Sequence, residues 1–80
     1  MRLKLLLFGI TRDIMGGATL AYEVPPGTTV AQLLTSLHQH YPALNDLRST
    51  LLAVNNEYGL SGQVLREEDE IALIPPVSGG

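Results

Sequence analysis

Hydrophobic and polar residues alternate from the start of the chain. Over residues 2–8, Leu3, Leu5 and Leu7 share one face while Arg2, Lys4, Leu6 and Phe8 share the other, which is the period of a strand. Thr19 to Val24 alternates likewise, with Leu20, Tyr22 and Val24 on one face. The two strands are expected to form a hairpin across a loop from Thr11 to Ala18 that contains Gly16-Gly17. Pro25-Pro26-Gly27 then stops strand pairing, because proline has no N–H to give to a ladder. Beyond it the period changes. Val30, Leu33, Leu34 and Leu37 fall at i, i+3, i+4 and i+7, the apolar stripe of a helix that Thr28 or Thr29 can cap and Tyr41-Pro42 ends.

A short helical turn is expected between Ala43 and Ser49, and Leu51 to Val54 reads as a third strand followed by a turn at Asn55-Asn56. Residues 57–69 read as irregular, with a brief strand near Gln63-Val64-Leu65, and Ile71 to Ile74 forms the last strand. One amphipathic helix in so short a chain has one sheet face to cover. The compact solution is an α+β, β-grasp (ubiquitin-like) fold: a mixed sheet wrapped around one main helix over residues 1–74. Residues 75–80 are expected to be a flexible tail ending in Gly-Gly. In this fold the first and last strands lie side by side and parallel.

Composition narrows the function. With no cysteine among 80 residues there is no disulfide, thiolate metal site or cysteine nucleophile, and stability must come from burying the 45% of residues that are hydrophobic. Charged residues make up 16% of the chain, against about 25% in an average soluble domain. So little charge favours a surface that a partner covers. The net charge of −3 is uneven, +1 over residues 1–40 and −4 over residues 41–80. An acidic chain whose one lysine is Lys4 has no electrostatic footprint for nucleic acid. The apolar run before Arg12-Asp13 is too short for a signal peptide, and no stretch approaches the ~18 apolar residues of a membrane span. A soluble, cytoplasmic protein is the expectation.

Catalytic constellations are nearly absent. His38 and His40, two apart on a helix, point about 200° from each other and cannot chelate one metal. They are expected to be solvated near the helix C-terminus, where the dipole favours them. Gly16-Gly17 lacks the Lys-Ser/Thr of a phosphate loop. Glu67-Glu68-Asp69-Glu70 lacks the spacing of a calcium loop, and reads as a solvated turn or a charged rim for a basic partner. No metal and no bound cofactor are expected.

Two features point to binding and group transfer. Leu6, Phe8, Ala72 and Ile74 face away from the helix on adjacent strands, an apolar patch of the kind that marks an interface, unless Tyr58 and Leu60 fold over it. The second is the tail. Pro75-Pro76 makes a stiff stem; after Val77 and Ser78, Gly79-Gly80 can thread a channel too narrow for a side chain and present a terminal carboxylate inside it. Such a carboxylate can attack the α-phosphate of ATP, and a sulfur nucleophile can then displace AMP to leave a thiocarboxylate.

Asp69-Glu70-Ile71-Ala72-Leu73-Ile74-Pro75-Pro76-Val77-Ser78-Gly79-Gly80 resembles the signature ending of the small, sulfur-carrier subunits of molybdopterin synthase. Phe8-Gly9 with Arg12-Asp13, and Ala53-Val54-Asn55, resemble two further landmarks of that family, so the resemblance covers essentially the whole chain. The family commonly has glutamate where Asp13 stands, and an Asp-Gly turn where this chain has Glu67-Glu68. The resemblance implies that a ubiquitin-activating-like enzyme consumes ATP to adenylate Gly80, which a sulfur donor converts to the thiocarboxylate. It implies a large synthase subunit as partner in a heterotetramer, with the catalytic residues on that subunit and sulfur delivered to a cyclic pyranopterin to build a dithiolene. It also implies partner-binding roles for positions matching Phe8, Tyr58 and Ile74. Rival readings are a sulfur carrier for thiamin thiazole synthesis or tRNA thiolation, which usually lacks the Pro-Pro-Val-Ser stem, and a ubiquitin-like protein modifier.

Overall fold

The computed structural model describes residues 1–47 and 49–76. Chain order is β1 (Arg2–Leu7), α1 (Ile10–Met15), β2 (Thr19–Glu23), α2 (Val30–His40), a 3-10 turn (Pro42–Asp46), β3 (Leu51–Val54), β4 (Glu57–Tyr58) and β5 (Ile71–Ile74). The five strands form one sheet in the order β2-β1-β5-β3-β4. β1 and β5 run parallel at its centre, and the other pairs are antiparallel. This is the mixed β-grasp sheet that the alternating pattern predicts.

The inner face of the sheet and the stripe of α2 make the core. Leu3, Leu5 and Leu7 of β1, Leu52 and Val54 of β3, and Ile71 and Leu73 of β5 are buried against Val30, Leu33 and Leu37 of α2. Leu34 packs at the edge, only partly buried. Thr29, not Thr28, caps α2. Its side chain accepts from the Gln32 N–H, and the Gln32 side chain accepts from the Thr29 N–H, so two of the helix's orphan donors are satisfied reciprocally. Thr28 instead donates its hydroxyl to the Pro25 carbonyl.

Two expectations are corrected. Within the expected loop Thr11 to Ala18, the chain winds into α1 as far as Met15. Gly9, at φ 56°, turns the chain out of β1, and Gly16 ends the helix in the left-handed conformation at φ 85°. The buried Thr11 hydroxyl accepts from the Phe8 N–H and donates to the Phe8 carbonyl. A helix of six residues is under two turns long, too short to display a hydrophobic period. The brief strand also lies elsewhere: it is β4, and Val64 makes only an isolated bridge with Thr29. Asn55 and Asn56, at φ 53° and 70°, form a two-residue turn whose twist suits a hairpin and returns the chain directly onto β3. Residues 63–65 bond instead to the approach to α2, through the Val30 N–H to Gln63 and the Leu65 N–H to Thr28.

Candidate functional site

Register builds the site on the outer face of the sheet. Leu6 pairs with Ala72 across the parallel strands, Ala72 with Ala53, and Ala53 with Tyr58. One row of small and apolar side chains therefore crosses four strands. Together with Phe8 and Ile74 it floors a cleft of about 590 Å³, edged by Asn56, Glu57 and Glu70. Phe8 is 43% exposed and Tyr58 70%, so the segment after β4 does not cover the patch. Tyr58 forms one wall of the cleft. Leu60, also expected at the patch, is exposed but does not line the cleft; it sits in a turn closed by the Gln63 N–H on its carbonyl.

Ala53 and Leu51 belong to this face and were missing from the patch expected from sequence. Leu51 pairs with Ile74 and is 48% exposed. The signal was available. Strand parity over Leu51–Val54 sends Leu52 and Val54 inward and leaves Leu51 and Ala53 outward.

The Phe8 end is tied down by side-chain bonds. Beyond the Thr11 bonds, the Arg12 Nε–H donates to the Leu7 carbonyl at 3.0 Å, and the guanidinium lies 5.8 Å from the Phe8 ring centre. Gly9 faces the stem: a β-carbon there would stand 3.1 Å from Cγ of Pro75. Pro75 and Pro76 are half-buried. Val77, Ser78, Gly79 and Gly80 lie outside the described residues.

The opposite end is clamped by Asn55. Its N–H donates to the Glu70 carbonyl at 2.8 Å, and its side-chain oxygen accepts from the Glu70 N–H at 2.9 Å. Its amide nitrogen donates to Asp69 Oδ1 at 3.0 Å. The other Asp69 oxygen accepts from the Arg66 N–H, and Glu67 accepts from the Arg2 N–H. The acidic run is thus divided: Glu67 and Asp69 tie down backbone, and Glu70 edges the cleft. Glu67-Glu68 makes its turn with neither residue at positive φ, the Asp69 N–H closing onto the Arg66 carbonyl. Glycine is not required there.

The histidines are bonded rather than simply solvated. His38 joins Asn45 and Thr50, and His40 meets the Tyr22 hydroxyl at 2.6 Å, tying α2 to its surroundings. Among the described residues no group of three His, Cys, Asp or Glu side chains is placed to hold a metal ion, and no helix is long and apolar enough to cross a membrane. What the cleft offers is apolar area with fixed charge at its edge, the chemistry of docking.

Comparison with known proteins gives a consistent likeness. The ThiS family pattern matches residues 5–80. A molybdopterin synthase sulfur carrier subunit of Arabidopsis thaliana is 38% identical over 79 residues, covering 98% of this chain and 82% of that protein. Among solved structures, SAMP1 from Haloferax volcanii superposes with a TM-score of 0.78 at 29% identity, over all of both chains. A complex of subunits 1 and 2 of molybdopterin-converting factor from Helicobacter pylori contains a chain with the same fold, at a TM-score of 0.67 and 24% identity over the full length of both.

Proposed function

The chain belongs to the ThiS family, and we propose on that premise that Gly80 is its sulfur-carrying group. It is a sulfur carrier subunit of molybdopterin synthase, acting in molybdenum cofactor biosynthesis as a component of a complex and not as an enzyme by itself. The observation that supports the reading best is continuity. The family match spans residues 5–80 and so takes in β5, the stem and Val77-Ser78-Gly79-Gly80, and the chain has no cysteine to carry sulfur instead.

In the proposed cycle a carboxylate oxygen of Gly80 attacks the α-phosphorus of ATP, and pyrophosphate leaves. A sulfur nucleophile then attacks the acyl carbon and expels AMP, giving the thiocarboxylate. Transfer of that sulfur to a cyclic pyranopterin restores the carboxylate. The chain's own part is to present the tail and to dock. An adenylating enzyme of the ubiquitin-activating type performs the first step, and the large synthase subunit receives the loaded tail in a heterotetramer, in the cytoplasm. One chain of the two-subunit Helicobacter pylori factor shares the fold, which supports a large-subunit partner. The cleft floored by Leu6, Phe8, Ala72 and Ile74 is the proposed seat for both partners, with Tyr58 as its wall.

Intact mass after co-expression with the cell's adenylating enzyme tests the reading. A mass rise equal to sulfur replacing one oxygen, located at Gly80 by fragmentation, is expected. No such species under activating conditions would overturn it. The likeness to SAMP1, small archaeal modifier protein 1, supports a second reading in which a lysine ε-amine intercepts the same adenylate and forms an isopeptide. Higher-mass conjugates that survive thiol reductants would distinguish that outcome.

A further inference from the structure

The rim of the cleft carries opposite charges on its two sides. On the β1 side, Arg12 stands over the ring of Phe8, which lines the cleft. The Nε–H bond to Leu7 and the ring contact hold the guanidinium, whose terminal nitrogens have no partner among the described residues. On the hairpin side Glu57 and Glu70 edge the cleft, and Glu70 is pinned through both of its backbone polar groups by Asn55. None of these three side chains joins an ion pair among the described residues; the pair that is present, Met1 with Glu23, lies at the far edge of the sheet. The bonds on the Arg12 side chain and on the Glu70 backbone lower the entropy these two residues lose when they meet a partner. Across an interface charges act mainly by steering encounter and fixing register, and a juxtaposition of like charges excludes the wrong orientation.

We propose that this polarised rim sets the orientation in which the large synthase subunit docks. Its seated segment carries an apolar side chain for the floor between Phe8 and Ile74, a carboxylate opposite Arg12, and a cationic side chain opposite Glu57 and Glu70. A segment entering the other way round would set its cation against Arg12. The inference rests on the cleft being the docking surface and adds the charge pattern its partner must present.

Calorimetric titration of the full chain against the large subunit of the same organism, at low and high salt, separates the two claims. Arg12→Glu, and Glu57→Lys with Glu70→Lys, should each weaken binding about tenfold at low salt, with the loss shrinking at high salt as screening shortens the reach of the charges. Asp46→Lys, a reversal on the exposed 3-10 turn away from the cleft, should bind like the parent. Circular dichroism checks that each variant folds. Rim reversals that bind at the parent's affinity while Phe8→Asp does not would overturn the rim and leave the cleft standing. If Phe8→Asp also binds normally, the cleft reading falls, and the rim with it. Reversals that weaken only the adenylating enzyme's binding would assign the charges to the other partner and overturn the inference.

Discussion

Gly9 and Pro75 are in contact distance across the sheet's end: a β-carbon on Gly9 would stand 3.1 Å from Cγ of Pro75. The turn that sends β1 into α1 is therefore also the surface against which the stem of the tail rests. Gly9 holds φ 56° and ψ −136°, a conformation that L side chains rarely adopt. Gly9→Ala is expected to cost about 1–3 kcal/mol, from backbone strain with crowding of the stem added. Urea unfolding measures it. Adding Pro75→Ala should recover the part that comes from crowding, and a variant as stable as the parent would show that the turn relaxes freely.

Gly59 is more tightly enclosed. A β-carbon there would lie 2.9 Å from Cγ2 of Val30, 3.2 Å from Cγ2 of Val54 and 3.3 Å from the Leu52 carbonyl oxygen. Its N–H donates to that same carbonyl, so the backbone has little room to withdraw. Gly59→Ala should destabilise by about 1–3 kcal/mol through overpacking, read as a lowered urea midpoint with an unchanged slope.

Asn55 combines a left-handed backbone with a side chain that bridges Glu70 and Asp69. Asn55→Ala loses the bonds and adds strain, and should cost about 2–3 kcal/mol. Asn55→Gly loses the same bonds but tolerates φ 53°, so its cost should be about 1 kcal/mol smaller. Equal losses in thermal or urea unfolding would mean that the positive φ costs nothing here.

The tail separates function from stability. Deleting Gly80 should abolish sulfur loading, because the shortened chain leaves its carboxylate about 3.5 Å from where the parent's would stand. A misplacement of even about 1 Å can cost a hundredfold in a positioned reaction. Gly79→Val should keep the carboxylate and obstruct its passage. Both variants should stay within about 0.5 kcal/mol of the parent's stability. Mass spectrometry of the activated chain reads the first effect and urea unfolding the second. A deleted chain that still takes up sulfur at the parent's rate would sink the carrier mechanism.

Much of this molecule is legible along the chain because its signals are local and strong. The alternation over residues 2–8 sends Leu3, Leu5 and Leu7 inward whatever the strand pairs with, since a strand's side-chain period is a property of its backbone. The stripe Val30, Leu33, Leu37 selects one face of α2, and Thr29 and Gln32 have the spacing of a capping box. The resemblance of residues 69–80 to a carrier's ending needs no tertiary structure at all. Tertiary structure decided what depends on neighbours remote in sequence. It turned residues 10–15 into helix around the buried Thr11, which six residues cannot announce by period. It put Ala53 and Tyr58 in one row with Leu6 and Ala72, because pairing register joins strands that the sequence only lists in order. It also brought Pro75 onto Gly9, placed Arg12 over Phe8, and set Glu57 and Glu70 along the opposite edge of the cleft. A sequence carries the period and the chemistry of its side chains, and only the closed sheet determines which of them share a surface.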